Sequence, residues 1–350
     1  MMSSKLSIVS LLTLFVLSCN TPEEPTTYIL VGYTQGTTYR IKYWGDSLSN
    51  YKRGIDSILL EIDTSLSTYL PSSIISRVNE QQSTVVDAFF RAVFTRSVEI
   101  NEITDGAFDP SVMPLVSAWG FGPKEAPQID TTLVDSLRSL VGLSRFGIYI
   151  SMWKNPQNIK VDTCYLMKTK NEIQLDFNGI AQGYSVDVLA SYLENNKVDN
   201  YLIEVGGEIK AKGTSSTGKR WLIGIDKPEE HVKTRHLQAT IALKDNSVAT
   251  SGSYRKFYKL NGTKYSHTID PFTGYPVTHS LLSVTVMTKE CMSADAYATA
   301  FMVMGLKSSK LFLEEHKDLG LEAYFIYSDE KGKHLTYTTP GLKMLLNENL

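Results

Sequence analysis

The chain has 350 residues, with 35 Lys+Arg against 37 Asp+Glu, a formal net charge of −2 and 42% hydrophobic residues. That near balance excludes a protein that holds nucleic acid by charge, and no nucleic-acid partner is expected. The length suffices for one large domain or two small ones, and no run is long and apolar enough to be a transmembrane helix.

Taken in order, the chain opens with a targeting segment. Lys5 precedes an apolar run from Leu6 to Leu17, too short to span a bilayer. The run ends in Val16-Leu17-Ser18-Cys19, which resembles a bacterial lipobox. Residues 1–18 are therefore expected to be a lipoprotein signal peptide, with Cys19 becoming the lipidated first residue. Asn20 to Thr27 carries two prolines and two glutamates and buries nothing, so residues 19–27 read as a flexible tether. Removing residues 1–18 takes away only Lys5 among the charges and shifts the net from −2 to −3. Cys164 and Cys291 then remain; they could pair in an oxidising compartment, and two buried free thiols is the preferred reading. Residues 28–350 show no composition break and are read as one domain.

Tyr28 to Trp44 alternates around Gln35-Gly36 and predicts two strands with a turn. Ile55, Ile58, Leu59, Ile62 and Leu66 fall at helical spacing, and short and longer helices follow through Ile75 and Val78 and from Phe89 to Ile103. The second stops at Asp105-Gly106. Thr104 to Gly122 is dense in turn formers, glycines and aromatics and reads as a long functional loop. Leu133, Leu137 and Leu140 predict a helix closed by Gly142. Short strands are expected at 147–152, 159–161 and 173–175, then a helix through Tyr184, Val188 and Tyr192. Leu202 to Ala211 reads as a strand pair broken at Gly206-Gly207, with further strands at 221–225 and 236–243. A strand at 281–287, a helix at 292–304 ended by Gly305, and strands at 321–327 and 334–337 complete the chain. Strands and helices mix without βαβ alternation or a GxGxxG turn. The fold class expected is α+β, a single domain with a mixed, mostly antiparallel sheet and packed helices.

Three constellations could carry chemistry. Asp295 and Thr299 stand four apart on a helix, so carboxylate and hydroxyl share one face, which suits a hard cation such as Mg²⁺. Asp176 and Gly179 at a strand-to-helix junction offer a carboxylate and an open carbonyl, and helix N-termini favour phosphate. From Asn246 to Pro276, Asn261-Gly262 marks a tight hairpin. It is flanked by Ser251-Gly252-Ser253 and by His267-Thr268-Ile269-Asp270-Pro271, which supply hydroxyls and proton-moving groups. Each has a bland alternative: a first-turn carboxylate with a buried hydroxyl, or a hairpin with polar loops.

Read together, these segments carry a resemblance. Gln35-Gly36-Thr37-Thr38-Tyr39, Ser67-Thr68-Tyr69 with ISRVN at 75–79, and TDGAFDPSVMPLVSAWGFG at 104–122 lead the series. LDFNGIAQGYSVD at 175–187, the double glycine at 206–207, VATSGSYRKFY…HTIDPFTGYPV and SADAYATAFMVMG at 293–305 complete it. In the same order they resemble the motifs of the ApbE-type FAD:protein FMN transferases. The resemblance implies an ApbE-like fold and a Mg²⁺-dependent transfer of FMN from FAD to a Thr or Ser hydroxyl of a partner protein, with release of AMP. It places Gln35, Tyr69, Ala107, Phe108, Asp109, Asp176, Gln182 and Ile269 at the FAD, and Gly179 (through its carbonyl), Asp295 and Thr299 at the metal. His267 is the first candidate for a base near the acceptor hydroxyl and Asp270 the second. The acceptor would belong to a membrane electron-transfer complex of the Nqr or Rnf type or a related flavoprotein. The enzyme would be anchored by lipid in the bacterial cell envelope and face the periplasm, at the inner membrane rather than the outer. Three positions depart from the family pattern: Gln35 stands for Met, Gln182 for Lys, and Asn178-Gly179 for Gly-Gly or Ser-Thr. An FAD pyrophosphatase giving FMN and AMP and a non-catalytic flavin-binding lipoprotein are the rival readings.

Overall fold

The computed structural model describes residues 26–45, 49–81, 83–122, 130–154, 160–229, 236–253, 257–260 and 263–348. The signal-peptide segment, Cys19 and most of the tether lie outside the described residues.

Alternation in Tyr28 to Trp44 gives the expected hairpin, Thr26–Thr34 paired with Thr37–Gly45. It turns through Gln35 and Gly36, both at positive φ (52° and 70°). The hairpin begins an eight-stranded sheet. Its order continues with Tyr201–Val205, Glu208–Lys212, Asn246–Gly252, Leu281–Thr288, Glu322–Ser328 and His334–Thr338. Every neighbouring pair is antiparallel, so the α+β expectation holds while the sheet is antiparallel throughout and not mixed.

The side-chain period of two explains the layers. On one face of the central strands Ala249, Val284, Val286 and Phe325 pack against the helices Ala88–Ile103 and Cys291–Glu315. On the other, Val248, Met287, Tyr324 and Ile326 meet a small sheet of Trp221–Asp226, Leu237–Leu243 and Leu346–Asn347. Toward the first hairpin, Leu30, Tyr39, Ile41 and Tyr43 lie under the helices Lys52–Leu66 and Ala181–Asn195. Cys164 and Cys291 are buried and free, as read from the sequence. Among the described residues no helix is long and apolar enough to cross a membrane.

Several elements differ from expectation. Asn246–Gly252, for which no strand was expected, is an inner strand of the main sheet, because neighbours on both sides satisfy its backbone. The hairpin itself forms between Phe257–Leu260 and Thr263–Ser266, while Asn261-Gly262 lies outside the described residues. The 104–122 loop contains the short helix Met113–Ala118. The strand expected at 159–161 runs as Lys160–Lys168, between Phe146–Lys154 and Ser83–Val85. Residues 173–175 form no strand. The break expected at Gly305 is present, since it leaves helical geometry (φ 72°, ψ 171°), and a second helical stretch follows to Glu315. Ser309 Oγ donates to Gly305 O at 2.8 Å, and Phe312 packs on Tyr297 and Phe301, which holds the second half in place.

Candidate active site

The site forms where the N-terminus of the Ala181–Asn195 helix meets the first turns of Cys291–Glu315. Gly183 makes the meeting possible: a Cβ there would stand 2.4 Å from Cys291 O and 2.9 Å from Asp295 Cβ. No larger residue permits that approach. Asp187, one turn further on, accepts from Met292 N–H at 2.8 Å and pairs with Lys210 at 2.6 Å, so one carboxylate caps the second helix from the first.

Gly183 is the third residue of its helix, so its N–H is one of the first-turn donors that have no partner within the helix. Here it donates to Asp295 Oδ2 at 3.1 Å, while Tyr184 N–H keeps its bond to Ile180 O. The Gly179 carbonyl accepts no hydrogen bond among the described residues. Beside it stands Thr299, whose Oγ1 would be 3.0 Å from a Cβ on Gly179 and lies 3.4 Å from Ser251 Oγ. Asp295 is buried at 5% exposure, forms no ion pair among the described residues, and is pushed up to about 7 by burial against the pull of the Gly183 N–H. An uncompensated buried carboxylate, a hydroxyl and an open carbonyl form an all-oxygen donor set, which fits a hard divalent cation.

The loop bearing Ala107, Phe108 and Asp109 closes one side. Asp176 N–H donates to Pro110 O at 2.8 Å, tying this loop to the turn that carries Gly179, and the Phe108 ring edge lies 3.5 Å from where a Gly179 Cβ would be. Ala107 and Phe108 are buried and act as wall. Asp109 caps its own turn, accepting from Ser111 N–H at 2.8 Å and Ser111 Oγ at 2.6 Å. Burial raises its carboxyl above the usual range, with those bonds pulling down. Asp176 Oδ1 accepts from Asn178 N–H at 2.8 Å. Tyr69 is 63% exposed, and partial burial together with the Asp176 charge raises its phenol.

Gln35 and Gln182 reach the other side. Gln35 Nε2 donates to Ser185 Oγ at 2.6 Å, whereas its buried Oε1 has no hydrogen-bond partner among the described residues. The Gln182 amide lies over Gly206, where a Cβ would be 2.8 Å from Oε1, so that glycine leaves the room it fills. Ile269, by contrast, belongs to a separate small core with Leu115, Trp119 and Val134. His267 sits edge-on to Phe121 at 6.3 Å. Asp270 caps the DPFTG turn, accepting from Phe272 N–H at 2.8 Å on Oδ1 and from Gly274 N–H at 2.8 Å on its carbonyl. That turn meets the 104–109 loop through Phe272, 3.5 Å from where a Gly106 Cβ would be. The structure therefore packs Gly179 against Thr299 and Phe108, with Asp295 one helical turn before Thr299 and Asp176 on the turn that carries Gly179. His267, Ile269 and Asp270 lie on the adjoining loop.

Sequence reasoning assigned no role to Gly183, Asp187, Asn79 or Lys168. Gly183 carried a signal, since glycine inside a helical pattern points to close packing. Lys168 carried none.

The chain belongs to the ApbE family, whose model matches residues 35–325. It is 37% identical over 309 residues to an FAD:protein FMN transferase of Vibrio cholerae, covering 85% of this chain and 87% of that protein. It is 32% identical over 347 residues to the Escherichia coli protein of the same name, covering 95% of each. Among solved structures, the flavin transferase ApbE of Vibrio cholerae superposes with a TM-score of 0.78 at 33% identity, covering 92% of this chain and 99% of that one. The apo flavinyl transferase of Pseudomonas stutzeri superposes with a TM-score of 0.76 at 30% identity, covering 92% and 97%.

Proposed function

We propose that this protein is an FAD:protein FMN transferase that works with Mg²⁺. The observation that carries the reading is the Gly179 carbonyl, which accepts no hydrogen bond among the described residues, on a turn packed against Thr299, with the buried Asp295 carboxylate one helical turn before Thr299. These three groups would hold the cation, which when bound draws charge from the diphosphate of FAD. Tyr69 offers a ring face, Asp176 and Asp109 offer acceptors, and Gln35 and Gln182 offer amides to the cofactor. The acceptor hydroxyl attacks the phosphorus of the FMN half, the bond to the AMP oxygen breaks, and AMP leaves with that electron pair. His267, or failing it Asp270, takes the hydroxyl proton.

Cys19 lipidation would anchor the enzyme on the periplasmic side of the inner membrane. The acceptor would be a subunit of an Nqr- or Rnf-type electron-transfer complex or a related flavoprotein. Incubation with FAD, Mg²⁺ and a candidate acceptor, followed by intact mass of both proteins, tests the reading. The acceptor should gain one FMN as AMP appears. AMP and FMN released with no labelled protein would instead mark a pyrophosphatase.

A further inference from the structure

Residues 171–176 lead directly into the turn that bears Asp176 and Gly179, yet no neighbouring strand holds them. Their backbone is held largely by side chains. Lys168 is buried at 4% exposure, and its ammonium donates to Asn79 O at 2.9 Å, Asn171 O at 2.9 Å and Ile173 O at 2.8 Å. An ammonium has three N–H donors, so all are committed to backbone carbonyls. Asn79 completes the clamp: its Nδ2 donates to Leu175 O at 2.9 Å and its Oδ1 accepts from Leu175 N–H at 2.7 Å. The amide thus does for Leu175 what a strand partner would do. The next bond along the chain is Asp176 N–H to Pro110 O.

We propose that Lys168 and Asn79 are positioning residues that set the Asp176–Gly179 turn against Thr299 and Asp295. The inference deepens the transferase reading and rests on it for the identity of the ligand. Neither side chain bonds the Asp176 carboxylate, Gly179, Asp295 or Thr299. They act through the backbone, fixing where the Asp176 carboxylate and the Gly179 carbonyl stand. Burial pushes the Lys168 amine down to about 8, with Glu172 pulling it up, so its donors are in place at neutral pH. Groups that orient metal ligands from behind typically alter affinity or activity about 10- to 100-fold.

The test uses the full chain with Asn79→Ala and Lys168→Met, reading FAD affinity with Mg²⁺ by titration, the KM and kcat of FMN transfer, and thermal unfolding. Asn79→Ala leaves the Lys168 bonds intact, because they go to the backbone carbonyls of Asn79, Asn171 and Ile173, so it decides the matter if Lys168→Met does not fold. Folded Asn79→Ala should show FAD affinity weakened, and KM raised, by about 10-fold or more. A lower unfolding temperature with wild-type FAD affinity and KM would reduce the clamp to a packing role and overturn the proposal. Wild-type protein that binds FAD and transfers nothing would sink the transferase reading instead, leaving the affinity comparison intact.

Discussion

At the scale of single residues, Asp295 concentrates the consequences. A carboxylate held in a dry pocket without a protein cation is unfavourable until a metal arrives. Asp295→Ala should keep measurable FAD binding but lose FMN transfer by about 100-fold or more, since a metal contributes several kcal/mol at the transition state. EDTA added to wild type should do the same, and full transfer by either would falsify the metal assignment. Thr299→Ala should be milder, because a neutral hydroxyl is a weaker ligand than a carboxylate. Tyr69→Ala should weaken FAD binding in a titration without lowering the unfolding temperature; the ring is 63% exposed, so little packing is lost. Asp295 also predicts a pH effect. Its folded value near 7 exceeds the ordinary 3.8, so between about pH 4 and 7 the folded state holds more protons than the unfolded one. Stability from this group is therefore present below about pH 4 and lost as pH rises through 7. Metal-free Asp295→Asn should lack that loss in thermal unfolding scans, and a wild-type slope in the variant would exclude Asp295 as its source.

Among elements, the contact between Ala181–Asn195 and Cys291–Glu315 decides whether the site exists. Gly183 sets their distance, and Asp187 joins the first helix to the amide end of the second. Gly183→Ala should force the pair apart, costing about 1–3 kcal/mol in denaturant unfolding. It should depress FMN transfer further than that loss explains, because the Gly183 N–H would swing off Asp295. A variant with wild-type stability and transfer would show that the helices can slide without consequence. The same contact shows why the legible part of the site stopped short. Asp295 and Thr299 share a face by helix geometry alone, so four-residue spacing suffices to pair them. That Gly179 joins them depends on two helices more than 100 residues apart in sequence, which spacing cannot express.

For the molecule as a whole, the first hairpin follows directly on the proposed tether and ends at Gln35 beside the Ala181–Asn195 helix. If Cys19 is lipidated, seven residues separate the lipid from Thr26, at most about 25 Å of extended chain. Such a leash would keep the site close to a bilayer surface and near acceptors held in that bilayer. Cys19→Ala should yield exported protein of unlipidated mass, mostly released from membranes on fractionation. Equal membrane retention of variant and wild type would mean that something other than lipid anchors the chain.

The sequence by itself determined what depends on local order: the Tyr28 to Trp44 hairpin, the helices through Ile55 and Phe89, the α+β class, the pairing of Asp295 with Thr299, and the motif series that names the family. Periodicity and turn chemistry act over a few residues, so they can be read from a few residues. Only the tertiary structure decided the rest. Asn246–Gly252 became an inner strand because two distant strands flank it, and residues 173–175 did not become one because Lys168 and Asn79 took their backbone bonds. The bond from Gly183 N–H to Asp295 has the same physical reason: a backbone donor goes to whichever acceptor packing brings nearest, and packing is not written in any one segment.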